Sequence, residues 1–92
     1  MKKSKFNHFN NKIILITGGT GSFGSMFIGE ILKKTNPKKI IIFSRDEMKQ
    51  WKMQENYKKN EKLKFIIGDV RDGEKVDSVF KSFKIDYVVH AA

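Results

Sequence analysis

Residues 13–17, Ile-Ile-Leu-Ile-Thr, run without a polar break into Gly-Gly-Thr-Gly-Ser-Phe-Gly, so that Gly18, Gly19, Gly21 and Gly24 crowd into one short stretch. An apolar, β-branched run with no alternation predicts a strand covered on both faces. Glycines directly behind it predict a turn in which backbone conformation and close approach matter more than side chains. Phe23, Phe27, Ile28, Ile31 and Leu32 then share one helical stripe. A strand that must be covered twice, followed at once by an amphipathic helix, restricts the chain to layered α/β architectures.

The remainder repeats the alternation. Pro37 cannot continue the first helix and restricts Asn36. Lys-Ile-Ile-Ile-Phe-Ser predicts a second buried strand, and a helix is expected from residue 46 to about 59, with Met48, Trp51 and Met53 as its apolar stripe. Leu-Lys-Phe-Ile-Ile-Gly reads as a third strand and Asp-Val-Arg-Asp-Gly-Glu-Lys as a loop. Val76, Val79, Phe80 and Phe83 have i, i+3, i+4, i+7 spacing, and Asp-Tyr-Val-Val-His-Ala-Ala reads as a fourth strand. Right-handed crossovers make this β-α-β-α-β-α-β series the N-terminal half of a doubly wound parallel sheet, a Rossmann fold with strand order 3-2-1-4. Residues 1–11 are expected to be a flexible basic tail in which Phe6 and Phe9 could pack locally. Residues 12–92 are expected to be the N-terminal part of a nucleotide-binding domain.

The chain has 92 residues, a net charge of +9 and no cysteine. Disulfide staples and cysteine metal sites are therefore excluded, and no metal site is expected. No apolar run approaches the ~20 residues that span a bilayer, and no long apolar segment follows the basic N-terminus. A cytoplasmic setting and no membrane partner are expected. The charge comes from 17 lysines and only 2 arginines, scattered along the chain. Nucleic acid is not the expected partner, because arginine is the better reader of bases.

The glycine spacing is Gly-x-x-Gly-x-x-Gly. Gly18 would turn the chain off the strand, Gly21 would let backbone approach a pyrophosphate, and Gly24 would let the helix pack closely on the strand. Free N–H groups at the helix N-terminus, with the Thr20 and Ser22 hydroxyls, would face the phosphates of a dinucleotide. No Gly-Lys-Ser/Thr follows, so the loop is not a Walker A loop. The second strand ends Ser44-Arg45-Asp46. Ser44 and Arg45 suit a 2′-phosphate and hence NADP, since a guanidinium forks onto phosphate oxygens. The alternative for Arg45 is a surface ion pair, and Asp46 could instead cap the following helix. Asp69 and Val70 are placed to meet adenine, with a turn-capping role as the alternative for Asp69. Asp72 is expected to cap the next helix. Ala91 and Ala92 would leave room for the middle of the cofactor or simply pack closely. His90 is expected to be a packed strand histidine, and Trp51 a core or partner-facing residue.

These residues resemble the extended short-chain dehydrogenase/reductase superfamily, whose signature is Thr-Gly-x-x-Gly-x-x-Gly. The blocks "ILITGGTGSFG", "PKKIIIFSRDEMKQWKM", "FIIGDVRD" and "DYVVHAA" are similar to the start of the configuration-inverting UDP-N-acetylglucosamine 4,6-dehydratases, in the CapD-like polysaccharide-biosynthesis group. The resemblance covers residues 12–92. It implies that Thr20, Gly21, Ser22 and Phe23 meet the NADP diphosphate. It also implies that Ser44, Arg45, Asp46 and Lys49 surround the phosphorylated ribose, that Asp69 and Val70 meet adenine, and that Ala91 lies on the nicotinamide side. The implied reaction oxidises C4 of a nucleotide sugar, eliminates water across C5 and C6, and reduces C6 with C5 inverted. The full-length parent is expected to be a homo-oligomer. The family's Tyr-x-x-x-Lys pair does not occur: Glu61 stands at the fourth position after Tyr57, and Ala91 after Tyr87. The chain is therefore expected to be an N-terminal fragment, inactive and marginally stable alone, with no catalytic residue of its own. A 4-epimerase, a retaining dehydratase or a stand-alone NADP-binding module are the rival expectations.

Overall fold

The computed structural model describes residues 7–58 and 60–91. After a 3-10 turn at Asn7–Phe9 the elements are β1 (Ile13–Thr17), α1 (Ser22–Lys34), β2 (Lys39–Ser44), α2 (Glu47–Asn56), β3 (Leu63–Ile67), α3 (Gly73–Ser82) and β4 (Tyr87–His90). The four strands form one parallel sheet in the order β3-β2-β1-β4, as the alternation predicts. β1 and β4 are clamped where they begin. The Ile13 N–H donates to the Asp86 carboxylate, and the Asp86 N–H donates to the Ile13 carbonyl, both at 2.8 Å.

The central strands divide their side chains by parity. Ile14, Ile16, Ile40 and Ile42 point to one face, where Ile28 and Ile31 of α1 and Met53 of α2 cover them. Ile13, Leu15, Ile41 and Phe43 point to the other, where Val79 of α3 covers them. This period-2 sorting is why an unbroken apolar run is stable only between two helical layers. β3 and β4 are the edges and are less covered, with Tyr87 and Val88 of β4 open to solvent. Among the described residues no helix is long and apolar enough to cross a membrane.

Three details differ from the sequence reading. First, part of the segment expected to be a flexible tail is packed. Phe9 is a core residue, 7% exposed, with its ring edge-on to Tyr87 at 5.2 Å and to Phe27 at 6.0 Å. The Asn10 side chain accepts from the Asn36 N–H at 2.7 Å, which ties this segment to the loop before β2. Residues 1–6, including Phe6, lie outside the described residues.

Second, the inner face of α2 is not Met48, Trp51 and Met53. Met53 is buried, but Met48 and Trp51 are exposed (Trp51 by 59%), and the second buried position is Gln50. A polar side chain occupies the core side because its amide finds acceptors there. Third, Phe80 is also exposed. Together with Val70 and Val88 it lines a small apolar cleft of about 200 Å³ beside β4.

Candidate functional site

The carboxyl ends of the strands meet at the glycine turn. Gly18 has φ of +69°, a left-handed conformation that disfavours any side chain, and its N–H donates to the Phe43 carbonyl at 2.9 Å. The turn thus leaves β1 while staying tied to β2. A Cβ on Gly24 would lie 2.5 Å from both Cα and O of Gly19. The close approach that Gly24 permits is therefore to the turn's own backbone at Gly19. Gly19 in turn sits against Ile16 and Ile42, where an added Cβ would be 3.1 Å from each Cγ2. These stacked glycines are what brings the start of α1 down onto the sheet.

The N-terminus of α1 differs from the other two described α-helices. Asp46 caps α2 by accepting from the Lys49 N–H at 3.0 Å, and Asp72 caps α3 by accepting from the Lys75 N–H at 3.2 Å. Gly21 occupies the N-cap of α1, with no side-chain cap. Its missing side chain leaves open space, the nearest atom to an added Cβ being the Gly18 carbonyl oxygen at 3.6 Å. Open N–H groups at the positive end of a helix dipole, beside bare backbone, suit phosphate oxygens.

An open cavity of about 950 Å³ lies along this edge. Of the residues singled out from sequence, Gly18, Thr20, Ser44, Arg45, Asp46, Lys49, Asp69 and Val70 line it. Gly21 and Ser22 line an adjoining groove of about 520 Å³ that shares Thr20 and Lys49 with the cavity. Phe23, Gly24 and Ala91 line neither. Phe23 is half exposed and stacks on Phe27, and Gly24 acts through packing. The Ala91 N–H donates to the Thr17 carbonyl at 2.8 Å, and Ala91 rests on the core. Ala92 lies outside the described residues.

Five cavity residues escaped the sequence reading: Phe43, Glu47, Gly68, Arg71 and His90. Gly68 is needed because a Cβ there would come within 2.6 Å of the Phe43 ring. Arg71 and His90 reach the cavity from the β3–α3 loop and the end of β4, and Glu47 from the first turn of α2. His90 is exposed, with its Nδ1 hydrogen-bonded to the Thr17 hydroxyl, where a packed strand residue was expected. The Gly after Phe-Ile-Ile was the one signal available in advance, since glycine at a strand end marks close approach.

Asp69 does not stand free in the cavity. Arg71 donates to it from Nη2 at 2.8 Å, from Nε at 3.1 Å and from its backbone N–H at 2.9 Å, while Arg45 Nη1 lies 3.7 Å away. Hydrogen bonds from the Arg71 side chain, then from its backbone, hold the Asp69 carboxyl well below the usual carboxylate range, and the Arg71 guanidinium is raised in return. A folded-state pKa depressed in this way contributes stability that is complete above the unfolded value of about 3.9 and is lost as pH falls through the folded value. Asp69→Asn is accordingly expected to lower stability at neutral pH, with the difference from the parent shrinking once pH drops below about 4. Denaturation titrations of both proteins across that range check it; a difference independent of pH would contradict the pairing.

The Arg45 contact is of another kind. Its side chain is 70% exposed and its guanidinium meets Asp69 at one long distance, so both prongs of the fork remain usable. An exposed pair of this geometry holds its partners weakly, and Arg45 can turn to an anionic ligand at little cost. Among the described residues no cluster of His, Asp and Glu could hold a metal ion.

A parallel 3-2-1-4 sheet, wound on both faces and opened by a glycine turn into an uncapped helix, defines the Rossmann-like class of the short-chain dehydrogenases/reductases. Within that class the chain belongs to the polysaccharide biosynthesis protein family, which matches residues 14–92. It is 48% identical over 84 residues to the inverting UDP-N-acetylglucosamine 4,6-dehydratase of Campylobacter jejuni, covering 91% of this chain and 24% of that protein. It is also 48% identical over 87 residues to a UDP-glucose 4-epimerase of Rickettsia bellii, covering 91% of this chain and 25% of that one. Among solved structures, the dTDP-glucose 4,6-dehydratase of Bacillus anthracis in complex with NAD superposes with a TM-score of 0.73 at 26% identity, covering 88% of this chain and 26% of that one. The chain thus spans about a quarter of the length of the relatives it matches.

Proposed function

We propose that residues 12–92 form the cofactor-binding part of a nucleotide-sugar 4,6-dehydratase, that the cofactor is NADP, and that the substrate of the complete enzyme is UDP-N-acetylglucosamine. The observation that carries the cofactor is Arg45, whose open guanidinium fork lies at the end of β2 beside Ser44 and Lys49, where an NAD site would present an acidic residue to the ribose hydroxyls. The identity to the Campylobacter jejuni dehydratase supports the reaction.

On this reading Gly18, Gly21 and Gly24 shape the bed of the diphosphate, with N–H groups of α1 and the Thr20 and Ser22 hydroxyls as donors and the Phe23 backbone completing the turn. Ser44, Arg45, Asp46 and Lys49 surround the 2′-phosphorylated ribose. Asp46 serves from its capping position, and the cationic pair neutralises the phosphate. Val70 offers an apolar edge to adenine. Asp69 has its carboxylate held by Arg71, which fixes the loop's shape and leaves any bond to the base dependent on its remaining lone pairs. Ala91 borders the nicotinamide side. NADP bound there would supply a hydride acceptor that returns the hydride within one turnover. The proton chemistry belongs to other parts of the enzyme, since no Tyr-x-x-x-Lys occurs in this chain. The complete enzyme, on the same reading, is a cytoplasmic homo-oligomeric lyase.

A full-length protein carrying this segment, incubated with UDP-N-acetylglucosamine, is expected to release a UDP-4-keto-6-deoxy sugar lighter by one water, with C5 inverted. The epimerase reading is favoured by the equal identity to the Rickettsia bellii protein. Recovery of the C4 epimer with no loss of water would establish it instead.

A further inference from the structure

Gln50 lies on the inner face of α2, 2% exposed, between the ends of β2 and β3. Its Nε2 is 2.7 Å from the Ile66 carbonyl oxygen, 2.9 Å from Ser44 Oγ and 3.4 Å from the Ser44 carbonyl oxygen. A main-chain carbonyl can only accept, so the atom facing Ile66 has to be the amide nitrogen. An amide NH₂ can only donate, so Ser44 Oγ is the acceptor in their bond. A serine hydroxyl has a single hydrogen, and the Gln50 contact turns that hydrogen away from the amide. Ser44 itself lines the main cavity next to Arg45.

We propose that Gln50 is a positioning residue that holds the Ser44 hydroxyl as a hydrogen-bond donor toward a phosphate oxygen in the cavity. The inference rests on the NADP reading above and extends it to a buried side chain that touches no ligand. A phosphate oxygen is an acceptor only, so a hydroxyl locked as a donor matches it without reorientation. The bond is also charge-assisted, which a bond to a neutral ribose hydroxyl is not. Without the Gln50 amide, the Ile66 carbonyl would lose a donor, and the Ser44 hydroxyl would be free to turn inward.

The test uses a full-length protein carrying this segment, with NADP and NAD titrated separately. Gln50→Met is expected to weaken NADP about tenfold and NAD less than twofold. In a Ser44→Ala background it should weaken NADP less than twofold further, because the residue acts through that hydroxyl. Equal losses for both dinucleotides, or fully additive losses in the double variant, would reduce Gln50 to a structural role and overturn the proposal. If Gln50→Met does not fold, the serine decides. Ser44→Ala should lower the NADP-to-NAD preference about tenfold and Ser44→Thr should keep it; an unchanged preference in Ser44→Ala overturns the proposal. The underlying reading fails separately, if the unsubstituted protein shows no preference for NADP.

Discussion

Gly24→Ala is expected to destabilise the fold by about 3 kcal/mol, at the upper end of what overpacking ordinarily does, and to abolish dinucleotide binding with it. The added Cβ would sit 2.5 Å from Gly19 Cα and O and 2.6 Å from its carbonyl carbon. All three are backbone atoms, so no rotamer change relieves the clash, and α1 has to lift from the turn. Lifting it also pulls Ile28 and Ile31 from the face they share with Ile14 and Ile16. Gly21→Ala is the informative control. Its Cβ would meet nothing closer than 3.6 Å, at a φ of −76° that any residue adopts. Stability should then change by less than about 1 kcal/mol, while affinity for a dinucleotide falls because a methyl group stands where phosphate should approach the backbone. Chemical denaturation and cofactor titration of both variants check the pair. Equal stability for the two would mean that Gly24 does not set the helix position.

Arg45→Ala is expected to weaken NADP about 30-fold, the range of a hydrogen-bonded charge pair lost from a phosphate, and to weaken NAD less than about threefold. The reason lies in how little the guanidinium is committed elsewhere. Asp69 already accepts from three donor groups of Arg71, so removing the long Arg45 contact leaves its carboxylate partnered. Arg45→Lys should recover only part of the loss, because an ammonium cannot fork onto two phosphate oxygens. Isothermal titration with each dinucleotide reads the difference directly. Parallel losses for NADP and NAD would remove the argument for the phosphorylated cofactor, while leaving the fold and the diphosphate bed untouched.

The features legible in advance were those that depend on near neighbours along the chain. Ile13–Thr17 and Lys39–Ser44 read as buried strands because their apolar runs are unbroken, Asp72 reads as a cap because it stands directly before a helix, and capping was the alternative role for Asp46. The sharp turn at Gly18 follows from the glycines themselves, and the structure gives it a left-handed backbone. With right-handed crossovers and helices on both faces of the sheet, these local facts lead to the 3-2-1-4 order that the fold has.

What composition and periodicity left open was decided by the path of the chain. Phe9 belongs to the core only because Phe27 and Tyr87 come around to meet it. Gly68 is obligatory only because the Phe43 ring lies above it, and Gly24 meets Gly19 instead of the strand. Gln50 replaces Met48 and Trp51 on the inner face of α2, since the Ile66 carbonyl and the Ser44 hydroxyl wait there for a donor. Period and propensity record which residues prefer burial. Whether a polar group finds its partner, or a ring its neighbour, depends on segments far apart in the chain, and only the folded arrangement brings them together.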